Sequence, residues 1–371
     1  MLRERYATWV EVDLEAIADN ISYFASLSDA AVMAVVKADG YGHGASQVAG
    51  AALRAGASWL AVARAEEALE LRAEGLEAPI LILGLTPPGY VSELIRAEVS
   101  MTVWSSAQVR AMSETASQMG RKARLHLKVD TGMSRLGVQL GDALERAREM
   151  ASVEGVEFEG LFSHYARADE SDQEATGQQR AAFTSLLRAL EREALRPKWV
   201  HVANSAAGLA GLEHHFDLMR IGIAMYGLHP SRERPLPGSM RPSLTWKTQL
   251  AQVKTLGVGR GVSYGHAYVT RSRERIGTLP VGYADGFRRV EGNEVLVDGK
   301  RAPVVGRVCM DQCMVSLEAA PGARVGDPVV LIGVQGEDCI SAEEVAQRWG
   351  TINYEVVCGI GSRVPRLYDP H

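Results

Sequence analysis

Eight strand-length apolar runs, each followed by a segment of helical character, fill the first two thirds of the chain. They are AVMAVVKA from Ala31, WLAVA from Trp59, PILILG from Pro79, VSMTVW from Val99, ARLHLKVD from Ala123, FEGLFSH from Phe158, WVHVAN from Trp199 and LMRIGIAMYG from Leu218. Most are continuously apolar rather than alternating, as strands covered on both faces are. Between them, Leu14, Ile17, Ile21 and Phe24 form one stripe behind Asp13, a helix opens at Asp142, Ala143 and Leu144, and leucines repeat at helical spacing from Ala181 to Leu195. Eight strand-plus-helix units in about 200 residues suit a (β/α)8 barrel. An open doubly wound sheet has similar units, and the count of eight favours the barrel.

The pattern changes near Pro230, where HPSRERPLPGSMRP reads as an exposed linker. Short strand-like runs follow: LTWKTQLAQVKTLG, RIGTLPVGYADG, EVLVDGKRAPVVGRV, QCMVSL and DPVVLIGV. Asp298-Gly299 supplies the positive φ angles of a type I′ hairpin turn. Ser341 with Glu344 makes a capping box for one helix, which Gly350 stops. The expected α/β architecture is therefore a (β/α)8 TIM barrel over residues 1–235, followed by a mostly β domain over 236–371.

Composition narrows the function. A net charge of −5 weighs against a non-specific nucleic-acid binder. Cys309, Cys313, Cys339 and Cys358 form no CxxC pair and are too few for a disulfide scaffold. A zinc site would need closer spacing and nearby histidines, so no metal is expected. The N-terminus has no apolar run of signal-sequence kind, and nothing approaches the roughly 20 residues of a membrane span. A cytoplasmic protein is expected.

In such a barrel the chemistry gathers at the C-terminal ends of the strands. The polar residues there are Lys37, Lys128, Asp130, His164, Asn204, Ser205 and Arg220. Lys37 follows a buried run, where an amine loses hydration and can act as a nucleophile or Schiff-base former. Strand position alone favours an ordinary exposed lysine, but Gly40, Gly42 and Gly44 after it permit close backbone approach to a ligand. Tyr41 and His43 add polar contacts. Arg220 lies inside an apolar run and needs partners; a structural ion pair and a ligand contact stand about even. The amides of Gly222 and Ile223 fall where barrels often build a phosphate site, and Ser205 adds a hydroxyl. His164 by itself is more often a satisfied core histidine. The turns around Tyr264, Met310 and Asp311 acquire no role from composition.

Taken together, these segments resemble alanine racemases. The resemblance spans essentially the whole chain: AVVKADGYGHG at 34–44, HLKVDTGMSRLG at 126–137, LFSHYARADE at 161–170, HVANSAA at 201–207, MRIGIAMYGL at 219–228, GVSYGH at 261–266, GYADGF at 282–287, GRVCMDQ at 306–312 and INYEVVCGI at 352–360. One motif would be weak, whereas the ordered series is specific. The resemblance implies a pyridoxal 5′-phosphate enzyme of the fold-type III class that interconverts L- and D-alanine and supplies D-alanine for peptidoglycan. It implies that Lys37 carries the cofactor as a Schiff base and that Tyr264 is the opposing acid/base. Tyr41, Ser205, Gly222, Ile223 and Tyr354 resemble the phosphate-holding residues. Arg220 resembles the arginine at the pyridine nitrogen, His201 its support, and His164 a residue lining the cofactor. Arg135 and Met310 resemble substrate-carboxylate contacts, with Asp311 supporting. Lys128 falls where many members carry a carbamate that positions Arg135. A head-to-tail homodimer with shared active sites is also implied.

Rival readings remain at this level. A pyridoxal-phosphate amino-acid decarboxylase of the same architecture would carry an acidic partner for the pyridine nitrogen. A broader amino-acid racemase, a non-catalytic cofactor-binding barrel and a Schiff-base aldolase are the others.

Overall fold

A computed structural model describes residues 5–368 and divides them into two compact units. Glu15–Gly40 and Gly44–Arg241 form one, while the N-terminal residues through Leu14, Tyr41–His43 and Pro242 onward form the other.

The first unit is a cylinder of eight parallel strands. Their order is Leu218–Ile221, Ala31–Val35, Ala57–Val62, Ile80–Ile82, Ser100–Val103, Ala123–Asp130, Val156–Phe162 and Trp199–His201. Each coincides with one of the eight apolar runs. The two end strands are joined by the amide of Asp217 donating to Val200 O at 3.0 Å and that of Arg220 donating to Ala203 O at 3.1 Å. Met33, Leu60, Ile80, Leu125 and Leu127 are fully buried, which is why these runs lack alternation. The connecting helices turn one stripe inward: in Leu14–Ala25 that stripe is Ala16, Ile17, Asn20, Ile21 and Phe24. Ser105 caps Ser106–Gln118 with its side chain accepting from the Gln108 amide.

The second unit is mostly strand. Its main sheet runs Lys300–Pro303, Glu294–Val297, Pro328–Gln335, Leu244–Gln249, Thr8–Val12 and Arg366–Tyr368. A smaller sheet joins Gln252–Leu256, Glu274–Leu279 and Cys313–Ser316. The Asp298-Gly299 hairpin has φ of 50° and 69°, as its type I′ turn requires. The Ser341 hydroxyl accepts from the Glu344 amide to start Ala342–Trp349, and Gly350 ends that helix in the left-handed region.

At the N-terminus the structure differs from the sequence division at residue 235. Thr8–Val12 pairs antiparallel with Leu244–Gln249, Thr8 opposite Thr248 and Val12 opposite Leu244, and parallel with Arg366–Tyr368. Sequence periodicity gives no sign of a partner more than two hundred residues away. Among the described residues, no helix is long and apolar enough to cross a membrane.

Candidate active site

Lys37 stands directly after the strand Ala31–Val35 and opens a six-residue turn, Lys37–Gly42. This turn has the wrong hand for an ordinary helix. Ala38, Asp39, Gly40 and Tyr41 have φ of 53°, 52°, 59° and 52°, and Gly42 and Gly44 follow at 79° and 94°. Each non-glycine residue in that conformation costs roughly 1–2 kcal/mol, and such strain persists only where the surroundings enforce it. The bonds enforcing it are on both sides of the turn. Gly40 N donates to Val36 O at 2.8 Å and Gly44 N to Asp39 O at 2.9 Å. Asp39 Oδ1 accepts the Ala45 amide at 2.9 Å, and Glu67 Oε1 accepts the Ala38 amide at 2.6 Å. The result is a lysine whose direction is set by a rigid mirror-hand turn.

Lys128, in the strand Ala123–Asp130, belongs to the same barrel mouth. Burial, then the positive charges of Arg220, Arg135 and Lys37, draw its amine down to about 8, with Asp130 opposing. Asp130 folds the loop behind it by accepting from the amides of Gly132 and Ser134, both at 3.0 Å. Arg135 lies exposed on that loop. Four cations thus act around one carboxylate, an arrangement that favours anionic ligands.

Arg220 is 4% exposed. Its Nη1 donates to Nδ1 of His201 at 2.7 Å. Its Nη2 donates to the carbonyls of Ser163 and Val202, each at 2.8 Å, and faces Nδ1 of His164 at 3.1 Å. No partner is a carboxylate, so the structural ion pair weighed from sequence is not what houses it. Burial draws Arg220 down to about 9, still above neutrality, so it remains a cation. Phe162 lies under the guanidinium at 5.4 Å and under the Lys128 amine at 5.3 Å, both cation–π contacts. Burial and the charges of Arg220, Arg135, Lys128 and Lys37 hold His164 well below the usual histidine range, so it is neutral. Ser205 Oγ accepts the Gly222 amide at 3.0 Å and the Ala224 amide at 3.4 Å, bringing the hydroxyl to the turn that starts at Ile223.

In the second unit, Tyr41 and Tyr354 lie with ring centroids 6.2 Å apart. Burial raises the Tyr41 phenol, with Tyr354 and Cys358 adding to it, so it is a neutral donor. Arg366 Nε donates to Gly42 O at 2.9 Å, holding the segment that carries Tyr41. Tyr264 begins a short turn between Gly261–Val262 and Tyr268–Val269. Ser263 pins that turn by donating to Arg307 O at 2.5 Å. Tyr264 is 65% exposed and Met310 53%. Beside Met310, Arg363 bridges Asp311 at 2.8 Å and Asp285 at 2.6 Å.

The barrel unit therefore brings together Lys37, Lys128, Arg135, His164, His201 and Arg220, with Ser205, Gly222 and Ile223 at adjoining strand ends. The second unit holds Tyr41 and Tyr354, and separately exposes Tyr264 and Met310. Sequence reasoning missed Glu67, His126, Glu159, Gly160 and Phe162. A signal existed for three of these, because a histidine, a glutamate and a glycine each interrupt an otherwise apolar run.

Known proteins resemble this chain in sequence and in fold along nearly its whole length. Residues 12–230 match the family described as alanine racemase, N-terminal domain, and 243–368 match alanine racemase, C-terminal domain. The alanine racemase of Desulfovibrio desulfuricans is 45% identical over 364 residues, covering 97% of each chain. That of Symbiobacterium thermophilum is 46% identical over 364 residues, again 97% of each. Among solved structures, the alanine racemase of Bacillus anthracis with bound L-Ala-P superposes with a TM-score of 0.93 at 42% identity, over 98% of this chain and 95% of that one. The eight-stranded barrel, the strand-rich second unit and these likenesses along the whole length give one result: the chain belongs to the alanine racemase family.

Proposed function

We propose that this chain interconverts L- and D-alanine with pyridoxal 5′-phosphate, and that Lys37 is the residue that holds the cofactor covalently. The observation that carries this reading is the cation-rich barrel mouth, where Lys37 stands beside Lys128, Arg135 and a buried Arg220 with neutral partners. The donor set suits the cofactor. A lysine amine matches its aldehyde, and the Ser205 hydroxyl, the Gly222 and Ile223 amides and the phenols of Tyr41 and Tyr354 match its phosphate. Arg220 matches its ring nitrogen, with His201 holding Arg220 and His164 lining the ring. A decarboxylase of this architecture would want an acid where Arg220 stands.

When bound, the cofactor supplies an electron sink that acidifies the Cα–H of an attached amino acid. The remaining work falls to the chain. Racemisation needs a proton taken from one face of Cα and returned to the other. The Lys37 amine serves one face and the phenol of Tyr264 the other. Arg135 and Met310 contact the substrate carboxylate, with the neighbouring Asp311, itself paired with Arg363, supporting. Arg220 keeps a fixed positive charge at the ring nitrogen, which discourages protonation there and so limits side reactions such as transamination. Lys128, with its lowered affinity for protons, is suited to add to CO2 and release a proton. The resulting carbamate would turn a cation into an anion able to brace Arg135.

Tyr264 and Met310 are large side chains left exposed on the second unit, as residues meant for another surface are. Each active site is accordingly read as shared, with Tyr264 and Met310 coming from a second copy of the chain. The test is a D-amino-acid oxidase-coupled assay on purified protein, run alongside borohydride trapping and peptide mapping. Racemisation of alanine without CO2 release, and an adduct on Lys37, are expected. An adduct on another peptide, or release of CO2, overturns the reading.

A further inference from the structure

Behind Arg220 runs a chain of side chains, buried at His201 and His126 and half-buried at Glu159, of which the reaction as described uses only His201. Its geometry fixes every proton in it. Arginine only donates, so Nδ1 of His201, 2.7 Å from Arg220 Nη1, must accept. Burial, with Arg220 and His126 adding to it, holds His201 well below the usual histidine range. The ring is neutral and carries its proton on Nε2. That nitrogen is 3.0 Å from Nδ1 of His126, which must therefore accept in turn. The proton of His126 is left on Nε2, 3.1 Å from Glu159 Oε2. The same carboxylate oxygen accepts the Ser100 hydroxyl at 2.5 Å. Burial raises Glu159, but the hydrogen bonds from His126 and Ser100 and the charge of Arg124 outweigh it, and the group is held below the usual carboxylate range.

Two independent features show that the barrel is shaped for this chain. Leu125 pairs with Phe158 but His126 pairs with Gly160, so Glu159 is an extra residue bulged out of the ladder. Bulges re-aim a side chain. Gly160 then clears the space: a Cβ there would stand 2.2 Å from Nδ1 of His126. Glycine inside a strand is unfavourable, and the imidazole explains its presence. Phe162, farther along the same strand, stacks on His201 with centroids 4.8 Å apart and planes 9° apart. One strand thus supplies the acid, the room and the ring support.

We propose that Glu159 is a positioning residue for racemisation, ordering the protons of His126 and His201 so that His201 always presents a lone pair to Arg220. The proposal rests on the assignment of Arg220 to the cofactor ring and adds to it the source of the countercharge. A buried guanidinium without an acidic partner is costly. Here the acid is present, two imidazoles away, at the end of the chain. Loss of that charge removes the bias on both tautomers. The reversed order would point an N–H of His201 at an N–H of Arg220, and the guanidinium would have to withdraw.

The experiment is 15N NMR of the histidine rings in the full chain, with and without cofactor, together with steady-state kinetics. In the wild type both His126 and His201 are expected as Nε2–H tautomers. Glu159→Gln keeps the size and removes the charge. It is expected to give mixed tautomers, a shifted absorbance of the bound cofactor, and a fall in kcat of about tenfold, with KM for alanine within about twofold. Ser100→Ala, which spares the carboxylate, is expected to give a smaller change of the same sign. An Nδ1–H tautomer at His126 in the wild type overturns the proposal, whatever happens to the variants. So does a Glu159→Gln enzyme with unchanged spectrum and kcat. A wild type that fails to racemise alanine would defeat the functional reading, while the tautomer measurement would still report on the chain.

Discussion

Glu67 Oε1 accepts the amide of Ala38 at 2.6 Å, one residue past Lys37. Its other oxygen accepts the amides of Ala63 at 2.7 Å and Arg64 at 3.0 Å. One carboxylate therefore ties the end of the Ala57–Val62 strand to the mirror-hand turn that aims the lysine. Glu67→Ala removes all three bonds and should lower stability by about 1–2 kcal/mol in urea denaturation. Borohydride trapping on Lys37 should slow as well. Unchanged trapping would show that the turn holds its shape without Glu67.

Gly42 offers a sharper case. Its φ is 79°, and a Cβ there would stand 2.4 Å from Val357 O. Gly75 has a similar φ of 82° with nothing within 4 Å of the added atom. Gly75→Ala should cost only the conformational term, about 1 kcal/mol. Gly42→Ala adds a collision with backbone and should cost about 2–4 kcal/mol. Equal midpoints for the two variants in denaturant would refute the collision.

Lys128 makes a pH prediction of definite sign. Its amine is lowered from 10.5 to about 8, first by burial and then by Arg220, Arg135 and Lys37. Between these values the unfolded chain binds more protons at this position than the folded one. The contribution of Lys128 to stability therefore rises with pH through that window, and its full penalty is present below about 8. In carbonate-free buffer, Lys128→Met should remove that slope from the wild-type profile. Identical slopes in the two proteins would mean that the amine is not perturbed.

If each site takes Tyr264 from a second copy, two inactive chains should complement one another. Lys37→Ala lacks the lysine but keeps a sound Tyr264; Tyr264→Phe has the opposite defect. Random pairing of equal amounts places one intact site in about half of the dimers, so roughly a quarter of the wild-type activity per chain is expected. No recovery after demonstrated subunit exchange would exclude a shared site.

The barrel was legible in the sequence because its strands are covered on both sides and so are written as unbroken apolar runs. Lys37, His164, Ser205 and Arg220 were legible because they stand at the ends of such runs or interrupt one. The hairpin at Asp298-Gly299 and the helix capped by Ser341 were legible because their signals are local. What escaped was set by distance or by conformation. Thr8–Val12 is short, and its partners come from the far end of the chain. Ala38 and Tyr41 are not residues that announce a left-handed turn, and only Asp39 and the glycines beside them hinted at one. Glu159 sits within a strand rather than at its end. Its meaning depends on a bulge that becomes visible only when Leu125 and His126 are seen beside Phe158 and Gly160.

Two backbone amides, those of Asp217 and Arg220, sew the first barrel strand in space to the last. The residue that shelters a fixed charge inside the cylinder is therefore also a stitch in its wall. Disturbing the side chain tugs at the seam, and fraying of the seam leaves the charge poorly housed. If Arg220 takes the role proposed for it, integrity of the scaffold and electronic control of the reaction meet in a single residue, so selection on either one constrains the other.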